Sequence, residues 1–456
     1  MSLSIIILAA GQGTRMRSAR PKVLHPLAGR PLLAHVIDTA RALQSSDIHV
    51  VIGHGAEQVQ SVIPDSDIHW VLQAEQLGTG HAVAQAMPAI PDGNTVLVMY
   101  GDVPLVCRET LEPLCSLADQ GMAALLTAEL DDPTGYGRIL HHADGSICGS
   151  VEEKDASSAE RAIQEVNTGF IAAPAVRLRG WVDALDNNNA QGEFYLTDVI
   201  ARAVAEGTSV RGVVAENIDE VLGINDRRQL AIQERSFQKR QAERYLQAGV
   251  TLPDPARFDL RGELTVGQDV YIDINAVLEG KIVLGDRVTI GPNVVMRNTT
   301  VGDDVTILAN CVIEDAEIGT GSRIGPFARL RPETRLSTHT HVGNFVEIKK
   351  SDVGEGTKIN HLSYVGDTTV GAGVNIGAGT ITCNYDGANK HRTIIGDRVF
   401  IGSDTQLVAP VEIQEGATIG AGSTITRDAP ANELTLSRAP QQTHTGWKRP
   451  VKKTKG

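Results

Sequence analysis

A glycine loop near the amino terminus carries the first residues whose types and spacing could do chemistry. The loop comes after an apolar strand predicted at residues 5–8 and runs from Leu8 to Arg15, with Lys22 a few residues later. Backbone amides of such a loop, leading into a helix, can bind the phosphates of a nucleotide. A third glycine near Met16 would indicate a dinucleotide site and a Gly-Lys-Ser/Thr ending a Walker site, but the sequence has neither. Instead, two cations, Arg15 and Lys22, lie just beyond the glycines.

An aspartate stands where a predicted strand ends. Residues 95–99 have the pattern of a strand, and the chain continues directly through Tyr100 and Gly101 to Asp102. An acid at the carboxyl end of a strand, beside glycine, is well placed to hold Mg²⁺ against a triphosphate. An ordinary turn aspartate would fit the same pattern. Asp102 alone therefore leaves both interpretations open.

Other loop clusters combine glycine with hydrogen-bonding side chains. They lie at residues 73–82, 134–138, 151–152, 167–169 and 223–225. Such clusters suit the hydroxyls of a sugar and the edge of a base, although each one alone would also pass as a turn.

Strands that alternate with helical stretches must position these loops. Strand-like runs lie at residues 5–8, 49–52, 68–72, 95–99 and 123–127. This alternation predicts an α/β doubly wound, Rossmann-like domain, whose ligands bind at the carboxyl ends of the strands. Both the glycine loop and the aspartate come at such ends.

The last two fifths of the chain have a different pattern, with a hydrophobic residue at every sixth position. This period fits neither an amphipathic helix nor a simple hairpin. It predicts a left-handed parallel β-helix of hexapeptide repeats, in which stacked coils bury a continuous aliphatic column. Where the step is five, at Val301, Ile318, Val353 and Val370, we expect small adjustments of register. The residues at the sixth positions are Val266, Ile272, Leu278, Leu284, Ile290, Met296, Ile324, Leu330, Leu336, Val342, Ile348, Ile395, Ile401, Leu407, Ile413, Ile419 and Ile425.

One long interruption of the repeat lies between Ile381 and Ile395. A solenoid can eject such an insertion as a loop on one face. Loops on a rigid scaffold tend to carry binding residues, so this segment is a candidate part of a site.

The length of 456 residues predicts more than one domain. A charged segment with few apolar residues separates the two patterns and predicts a connecting helix. We therefore expect a nucleotide-binding domain at residues 1–225, a helical linker at residues 226–250 and a β-helix domain at residues 251–456.

Composition and charge exclude several classes of protein. The net charge of −13 argues against a nucleic-acid binder, although the tail from Trp447 to Gly456 is basic, with Lys453 and Lys455 among its cations. We interpret that tail as a solvated end, with closure over a ligand as the alternative. Five cysteines without paired spacing argue against disulfides and structural zinc. The apolar start is too short to span a bilayer and lacks a basic leader, so the sequence predicts a soluble, cytoplasmic protein.

The run from Leu8 through Gly13 to Lys22 resembles the signature of sugar-phosphate nucleotidyltransferases. With the hexapeptide half and the segment from His341 to Lys390, nearly the whole chain is similar to one family of bacterial bifunctional enzymes. These enzymes act as N-acetylglucosamine-1-phosphate uridylyltransferase and glucosamine-1-phosphate N-acetyltransferase. The resemblance implies acetylation of glucosamine 1-phosphate by acetyl-CoA, and then transfer of UMP from UTP, which gives UDP-N-acetylglucosamine and pyrophosphate. Such a product would serve peptidoglycan and lipopolysaccharide synthesis.

For uridylyl transfer, the resemblance assigns phosphate neutralisation to Arg15 and Lys22 and Mg²⁺ binding to Asp102 and Asn225. The reaction needs no protein nucleophile, because the sugar phosphate can attack the α-phosphorus in line while metal and cations spread the charge. UTP and UDP-N-acetylglucosamine would bind to Leu8, Ala9, Ala10, Gly11, Lys22, Gln73, Gly78, Thr79, Tyr100, Gly101, Asp102, Gly137, Glu152, Asn167 and Asn225.

For acetyl transfer, the resemblance makes His361 the catalytic base that takes the proton from the attacking amine, a role suited to a group that titrates near neutrality. A lone histidine would otherwise be interpreted as a solvated residue of a coil. Glu347 is expected to help orient that site. Glucosamine 1-phosphate would bind to Arg331, Lys349, Tyr364, Asn375 and Lys390. Acetyl-CoA would bind to Ala378, Asn384, Tyr385, Ser403, Ala421 and Arg438. Such a site usually lies between neighbouring β-helices, which implies a homotrimer.

Two other interpretations stay open. In the first, the chain is a monofunctional sugar-phosphate nucleotidyltransferase whose β-helix only supports oligomerisation or regulation. The set Arg331, Lys349, His361, Tyr364 and Lys390 argues against it, because a purely structural helix would not need these residues. In the second, the whole protein is a scaffold with inert pockets, and metal-dependent binding of UTP would argue against that.

Overall fold

In a computed structural model of the chain, the described residues are 2–452. By their contacts they divide into two compact units, the first ending at Gln238 and the second beginning at Lys239. The tail cations Lys453 and Lys455 lie outside the described residues. None of the helices within residues 2–452 is long and apolar enough to cross a membrane.

The first unit is built on a nine-stranded sheet. Its strands are β1 (Leu3–Leu8), β2 (Asp47–Ile52), β3 (Ile68–Leu72), β4 (Thr95–Tyr100), β5 (Ala123–Glu129), β6 (Gly137–His141), β7 (Ile147–Val151), β8 (Glu165–Pro174) and β9 (Val210–Val214). They have the order β9-β5-β8-β4-β1-β2-β3, and the antiparallel hairpin β6-β7 joins at β8. Strand β8 runs antiparallel to β4 and β5, whereas the other pairs along this order are parallel.

Helices cover both faces of this sheet, as a doubly wound domain requires. Ile5 and Ile7 of β1 belong to one core, with residues of α1, α2 and α4, while Ile6 and Leu8 belong to the other, with residues of α3, α6 and α7. The helices are α1 (Leu32–Ala42), α2 (Ala56–Val62), α3 (Thr79–Ala86), α4 (Arg108–Asp119), α5 (Ser158–Arg161), α6 (Ala175–Asp183), α7 (Val199–Ala205) and α8 (Arg227–Gln247). Burial on both faces explains why residues 5–8 of β1 are all apolar rather than alternating.

The charged segment between the two cores in the sequence forms helix α8. Helix α8 ends before Gly249, whose φ of 92° is in the left-handed region. The amide of Gly249 donates to the carbonyl of Leu246, and the amide of Val250 donates to that of Tyr245. This pair of bonds is a Schellman ending, which satisfies the last carbonyls of the helix.

The second unit winds into a parallel β-helix. Leu278 lies beside Met296 and Leu284 beside Val301 in parallel register, so successive coils take 18 or 17 residues. A ten-stranded sheet forms one side, with strands Tyr271–Ile272, Thr289–Ile290, Thr306–Ile307, Arg323–Ile324, His341–Asn344, Lys358–His361, Asn375–Ile376, Phe400–Ile401, Thr418–Ile419 and Leu434–Thr435. A sixteen-stranded sheet forms the rest, with strands Asp259–Val266, Val277–Leu284, Val295–Val301, Val312–Glu314, Ala316–Ile318, Arg329–Leu330, Thr334–Leu336, Glu347–Lys349, Ser351–Val353, Tyr364–Gly366, Thr368–Val370, Ile381–Cys383, Thr393–Ile395, Gln406–Val408, Val411–Ile413 and Thr424–Ile425.

The aliphatic residues predicted at sixth positions form the buried column of this β-helix. Leu278, Ile348 and Ile401 are inaccessible to solvent, and of the predicted positions only Val266, at the start of the column, is half-buried. The five-residue step at Val301 produces a 17-residue coil without exposing the side chain. The period of six therefore predicted the fold of this unit and the residues of its core.

The interruption of the repeat is an ordered loop. It leaves the β-helix after strand Ile381–Cys383 and returns at strand Thr393–Ile395. The carboxylate of Asp386 accepts the amide of Asn389 at 2.6 Å and lies 2.7 Å from the ring of His391. These partners, the Asn389 amide foremost, hold the pKa of Asp386 well below its usual range. The ejected loop thus has a fixed conformation that can present side chains.

Candidate active sites

An open cavity of about 440 Å³ lies at the carboxyl ends of β1, β3 and β4. Ligand sites of doubly wound sheets lie at such strand ends, and this volume is in the range of small-molecule sites. Its lining contains most of the predicted nucleotide residues: Leu8, Ala9, Ala10, Gly11, Lys22, Gln73, Gly78, Thr79, Tyr100 and Asp102. The other lining residues are Gln76 and Ala82, which belong to the predicted cluster at residues 73–82, and Val23 and Glu193, which no predicted cluster contains.

The glycine loop packs directly against Lys22. Gly13 has a φ of 61°, and a Cβ atom at this position would lie 2.5 Å from the Cβ of Lys22. Only glycine allows both the left-handed backbone and this close approach. The loop then enters the short 3₁₀ turn Thr14–Met16, in which Arg15 is exposed.

Lys22 bridges the two residues predicted as metal ligands. Its ammonium is hydrogen-bonded to Asp102 Oδ2 and donates to Asn225 Oδ1 at 3.1 Å. The carbonyl of Asp102 accepts the amide of Ile224 at 2.9 Å, which fixes Asn225 beside the end of β4. Within residues 2–452, no cluster of three or more His, Cys, Asp and Glu side chains has the arrangement of a complete metal site. A cation at this point would therefore have to share its coordination with substrate oxygens or water.

One side of the cavity, formed by residues 73–79, packs against the backbone of residues 194–196. Gly78 has a φ of 114°, and a Cβ atom there would lie 2.5 Å from the carbonyl oxygen of Phe194. The hydroxyl of Thr79 accepts the amide of Leu196 at 3.1 Å. Gln73 is 3% exposed, and its Nε2 donates to the carbonyl of Gly78 at 3.1 Å. These bonds fix a polar, buried edge suited to a planar base.

The predicted sugar residues lie next to Tyr100. Thr197 donates its hydroxyl proton to Glu152 Oε1 at 2.9 Å, and burial raises the pKa of Glu152 above its usual range. Asn167 is the strand partner of Gly137, and its Nδ2 donates to a serine hydroxyl at 3.3 Å. Burial raises the pKa of the Tyr100 phenol, and the nearby Glu152 carboxylate adds to that shift. The sugar set and the nucleotide cavity thus meet at Tyr100.

Two predicted residues have a different environment from the rest. Gly101 is buried behind the loop, where its amide donates to the carbonyl of Leu8 at 2.9 Å. Arg15 is exposed, and its contact with phosphate stays a prediction.

A second group of predicted residues gathers on the β-helix. The amine of Lys390, on the ejected loop, lies against that of Lys349, and Arg331 adds a third cation. This arrangement, the Lys390 amine above all, lowers the pKa of Lys349 below its usual range. Asn384, also on the loop, donates to the phenol oxygen of Tyr364 at 3.4 Å. Three neighbouring cations beside a phenol and an amide suit a phosphorylated sugar.

His361 has a specific partner in the preceding coil. Its Nδ1 lies 2.9 Å from Asn344 Oδ1, and the two residues are paired in the parallel register of the ten-stranded sheet. Because an amide oxygen can only accept, Nδ1 carries the proton and Nε2 is left as the basic nitrogen. Glu347, which was expected to help orient this site, accepts from Arg331 Nη1 at 2.8 Å. The carboxylate therefore positions the arginine, and Asn344 positions the imidazole.

The other predicted acetyltransferase residues are distributed over several coils. Within residues 2–452, no hydrogen bond or ion pair joins His361 to Lys349 or Lys390. Asn375 lies on the ten-stranded sheet, between Lys358 and Phe400 of the neighbouring coils. One chain therefore presents the base and the cations without direct contact between them.

The predicted coenzyme residues Ala378, Ser403 and Ala421 lie on successive coils. The carbonyls of Ala378 and Ser403 each accept an amide of the next coil, at 2.7 and 2.8 Å. Arg438 lies beside them, because its Nη1 donates to the carbonyl of Ala421 at 2.7 Å. Tyr385 of the ejected loop is 60% exposed.

Three family models match different parts of the chain. Residues 5–168 match the MobA-like NTP transferase domain. Residues 260–338 match the GMPPB C-terminal domain, and residues 392–427 match the bacterial transferase hexapeptide model of six repeats. These matches agree with the two folds described above.

Relatives from three bacteria match the chain over its whole length. A protein of Marinobacter nauticus is 57% identical over 450 residues, which cover 99% of both chains. One of Methylococcus capsulatus is 58% identical over 456 residues, 100% of this chain and 99% of the relative, and one of Pseudomonas entomophila is 59% identical over 452 residues, 99% of each. All three are named bifunctional protein GlmU. The chain belongs to the bifunctional GlmU family.

Membership of the GlmU family confirms the function that the resemblance implied. The chain is a bifunctional enzyme of UDP-N-acetylglucosamine synthesis, with a uridylyltransferase and an acetyltransferase activity. Nucleotide and sugar-phosphate substrates are implied by this membership. The monofunctional and scaffold interpretations are therefore set aside.

The residues predicted from the sequence did not include Asn344, the partner of His361. The signal was available, because a coil of 17 residues places Asn344 directly beside His361. Glu193 lines the nucleotide cavity, and no local pattern marks it, because only tertiary packing brings it there.

Proposed function

We propose that the cavity of the first unit performs the uridylyl transfer and that the cationic cluster of the β-helix performs the acetyl transfer. This assignment of the two activities rests on the different residue types of the two sites. The first combines a cation with a carboxylate and an amide oxygen, whereas the second combines three cations with a histidine whose Nε2 is basic. Phosphoryl chemistry needs the first set, and transfer of an acyl group to an amine needs a base.

Asp102 and Asn225 would hold Mg²⁺ in the nucleotide cavity. The fit of these residues to a cation rests on Lys22, whose ammonium contacts an oxygen of each. When bound, the metal ion would neutralise phosphate charge in the transition state. Lys22, which lies beside both residues, would also neutralise phosphate charge.

The residues of the cavity then act by orientation. The buried edge formed by Gln73, Gly78 and Thr79 holds the uracil, while Glu152 and Asn167 hold the sugar. A phosphate oxygen of N-acetylglucosamine 1-phosphate attacks the α-phosphorus of UTP, and the bond to pyrophosphate breaks. No proton has to be moved by the protein, so alignment and charge neutralisation provide the rate enhancement.

His361 is the base of the acetyl transfer. Arg331, Lys349 and Lys390 hold the phosphate of glucosamine 1-phosphate, which leaves its amine to approach the thioester of acetyl-CoA. As the carbon–nitrogen bond forms, Nε2 of His361 takes a proton from the amine. The carbon–sulfur bond then breaks, and the sulfur of coenzyme A leaves as a thiolate that is protonated to the thiol.

We infer that the chains associate as a homotrimer. Support comes from an exposed apolar ridge on successive coils, at Phe327, Phe345 and Leu362, which are 49%, 56% and 62% exposed. The two phenyl rings stack with centroids 5.4 Å apart. The ridge includes the residue next to His361, and within the described residues no hydrogen bond joins this histidine to the cations of its own chain. A neighbouring chain on the ridge would complete that site. The cytoplasmic location expected from the sequence stays a prediction.

Removal of divalent metal should stop one reaction and spare the other. A chelator should slow pyrophosphate release from UTP and N-acetylglucosamine 1-phosphate by about a hundredfold or more, because phosphate charge is then left uncompensated. Thiol release from acetyl-CoA and glucosamine 1-phosphate should be unchanged, since His361 acts without metal. Both rates are measured on one preparation, and added Mg²⁺ should restore the first. Equal sensitivity of the two reactions to the chelator would contradict the assignment of Asp102 and Asn225.

A further inference from the structure

The hydrogen bonds of Gln73 lead from the nucleotide cavity to a histidine that has no role so far. Nε2 of Gln73 donates to the carbonyl of Gly78 at 3.1 Å and lies 3.0 Å from Nδ1 of His81. The carbonyl can only accept, so the amide nitrogen must lie on this side. His81 Nδ1 therefore accepts the second proton of the same amide.

Gln85 contacts the other ring nitrogen of His81. With Nδ1 as acceptor, a neutral imidazole carries its proton on Nε2. The atom of Gln85 nearest to that nitrogen is its own Nε2, at 3.1 Å. Two donors cannot share this contact, so the Gln85 amide has to turn and present its oxygen. Because Gln85 is exposed and has no other hydrogen bond within residues 2–452, its amide is free to present oxygen to Nε2–H. Gln73 then donates to His81, and His81 donates to Gln85.

This direction decides which atom of Gln73 faces the ligand. Both amide protons are engaged by Gly78 and His81, and no protein donor within residues 2–452 reaches the amide oxygen. Gln73 is buried and lines the cavity, so Oε1 is left as an oriented acceptor. Uracil and thymine present an N–H group at N3, whereas N3 of cytosine is itself an acceptor. An oriented acceptor would bind the first two bases and repel the third.

We propose that His81 is a positioning residue for nucleobase selection, which holds the Gln73 amide so that its oxygen meets an imide N–H of the base. The proposal rests on the proposed uridylyl transfer. His81 does not contact the base. It raises the free energy of the alternative orientation of Gln73, in which an N–H group would face the cavity and donate to N3 of cytosine.

The test compares UTP with CTP as the nucleotide in wild-type protein and in His81→Ala. Alanine suits the half-buried position in helix α3, so the variant should fold. We expect the ratio of kcat/KM for UTP to that for CTP to fall about tenfold, because the Gln73 amide then loses one of the two hydrogen bonds that fix it and keeps only the bond to Gly78. Most of the change for UTP should appear in KM, since the base is held equally in the ground and transition states.

Two further variants distinguish orientation from a merely structural effect. His81→Asn places an amide oxygen near the position of Nδ1 and should restore the wild-type ratio. His142→Leu, which changes an exposed histidine of the same unit, should leave the ratio unchanged. The proposal is overturned if His81→Ala keeps the wild-type ratio, if activity with both nucleotides falls in parallel, or if His81→Asn behaves like the alanine variant. Absence of pyrophosphate release from UTP in the wild-type protein would instead overturn the proposed uridylyl transfer itself.

Discussion

Replacement of His361 by alanine should slow acetyl transfer by about 10²- to 10⁴-fold, the range that a positioned general base contributes. The attacking amine must lose a proton as it becomes an amide, and His361 Nε2 is the basic nitrogen that the contact with Asn344 leaves free. Thiol release from acetyl-CoA with glucosamine 1-phosphate measures this rate. Uridylyl transfer by the same preparation should be unchanged, because no residue of the nucleotide cavity is altered.

The control for this change is another exposed histidine of the β-helix. His339→Asn keeps a residue that tolerates the positive φ of 57° at that position and should leave acetyl transfer unaffected. Asn344→Ala should have a smaller effect than His361→Ala, of about tenfold, because the base remains but its tautomer is no longer fixed. Wild-type thiol release in His361→Ala would remove this histidine as the base.

Replacement of Lys22 by alanine should slow uridylyl transfer by about 10²- to 10³-fold, as loss of one group that stabilises transition-state charge does. Lys22 contacts both Asp102 and Asn225 and is the cation of the cavity closest to the proposed metal site. Pyrophosphate release at saturating UTP and Mg²⁺ measures the effect. Acetyl transfer should stay at the wild-type rate.

The stability of the variant decides whether the loss is chemical. Lys22→Ala leaves Asp102 without its partner, so its thermal unfolding should be compared with that of the wild-type protein in the presence of Mg²⁺, which can take the place of the ammonium. Arg211→Ala removes an exposed cation of the same unit and should change neither rate nor stability. Full uridylyl transfer in a folded Lys22→Ala protein would refute the role given to this lysine.

The fold of the β-helix was predictable because its cause is periodic. Residues such as Leu278 and Ile401 stack on their equivalents one coil away, so a pattern along the chain is also a pattern in space. The same holds for the steps of five, which appear as coils of 17 residues. The position of the ejected loop was evident from the absence of the pattern.

The nucleotide site was predictable in its parts rather than in its contacts. Strand ends and glycine turns indicated Gly11 and Asp102, since both are local signals. The bridge from Lys22 to Asn225 joins residues that are 203 positions apart, and only tertiary packing brings them together. No pattern in the sequence indicates that these two residues are in contact.

The partners of ionisable groups were the least predictable feature. Glu347 was expected to orient the acetyltransferase site, and its contact with Arg331 rather than with His361 is decided by which face of the coil each side chain occupies. Asn344 contacts His361 because the two residues are paired in register. A map of the coils, residue against residue, would have given the contact of Asn344 but not that of Glu347, which is paired in register with Arg329.

The most direct test of two activities in one chain is thiol release without UTP. The purified protein is incubated with acetyl-CoA and glucosamine 1-phosphate, and free thiol is measured over time with and without the amino sugar phosphate. The predicted result is release that depends on the sugar phosphate, and then pyrophosphate release once UTP and Mg²⁺ are added. Pyrophosphate from UTP and N-acetylglucosamine 1-phosphate without any sugar-dependent thiol release would contradict it, because the β-helix would then be only a scaffold.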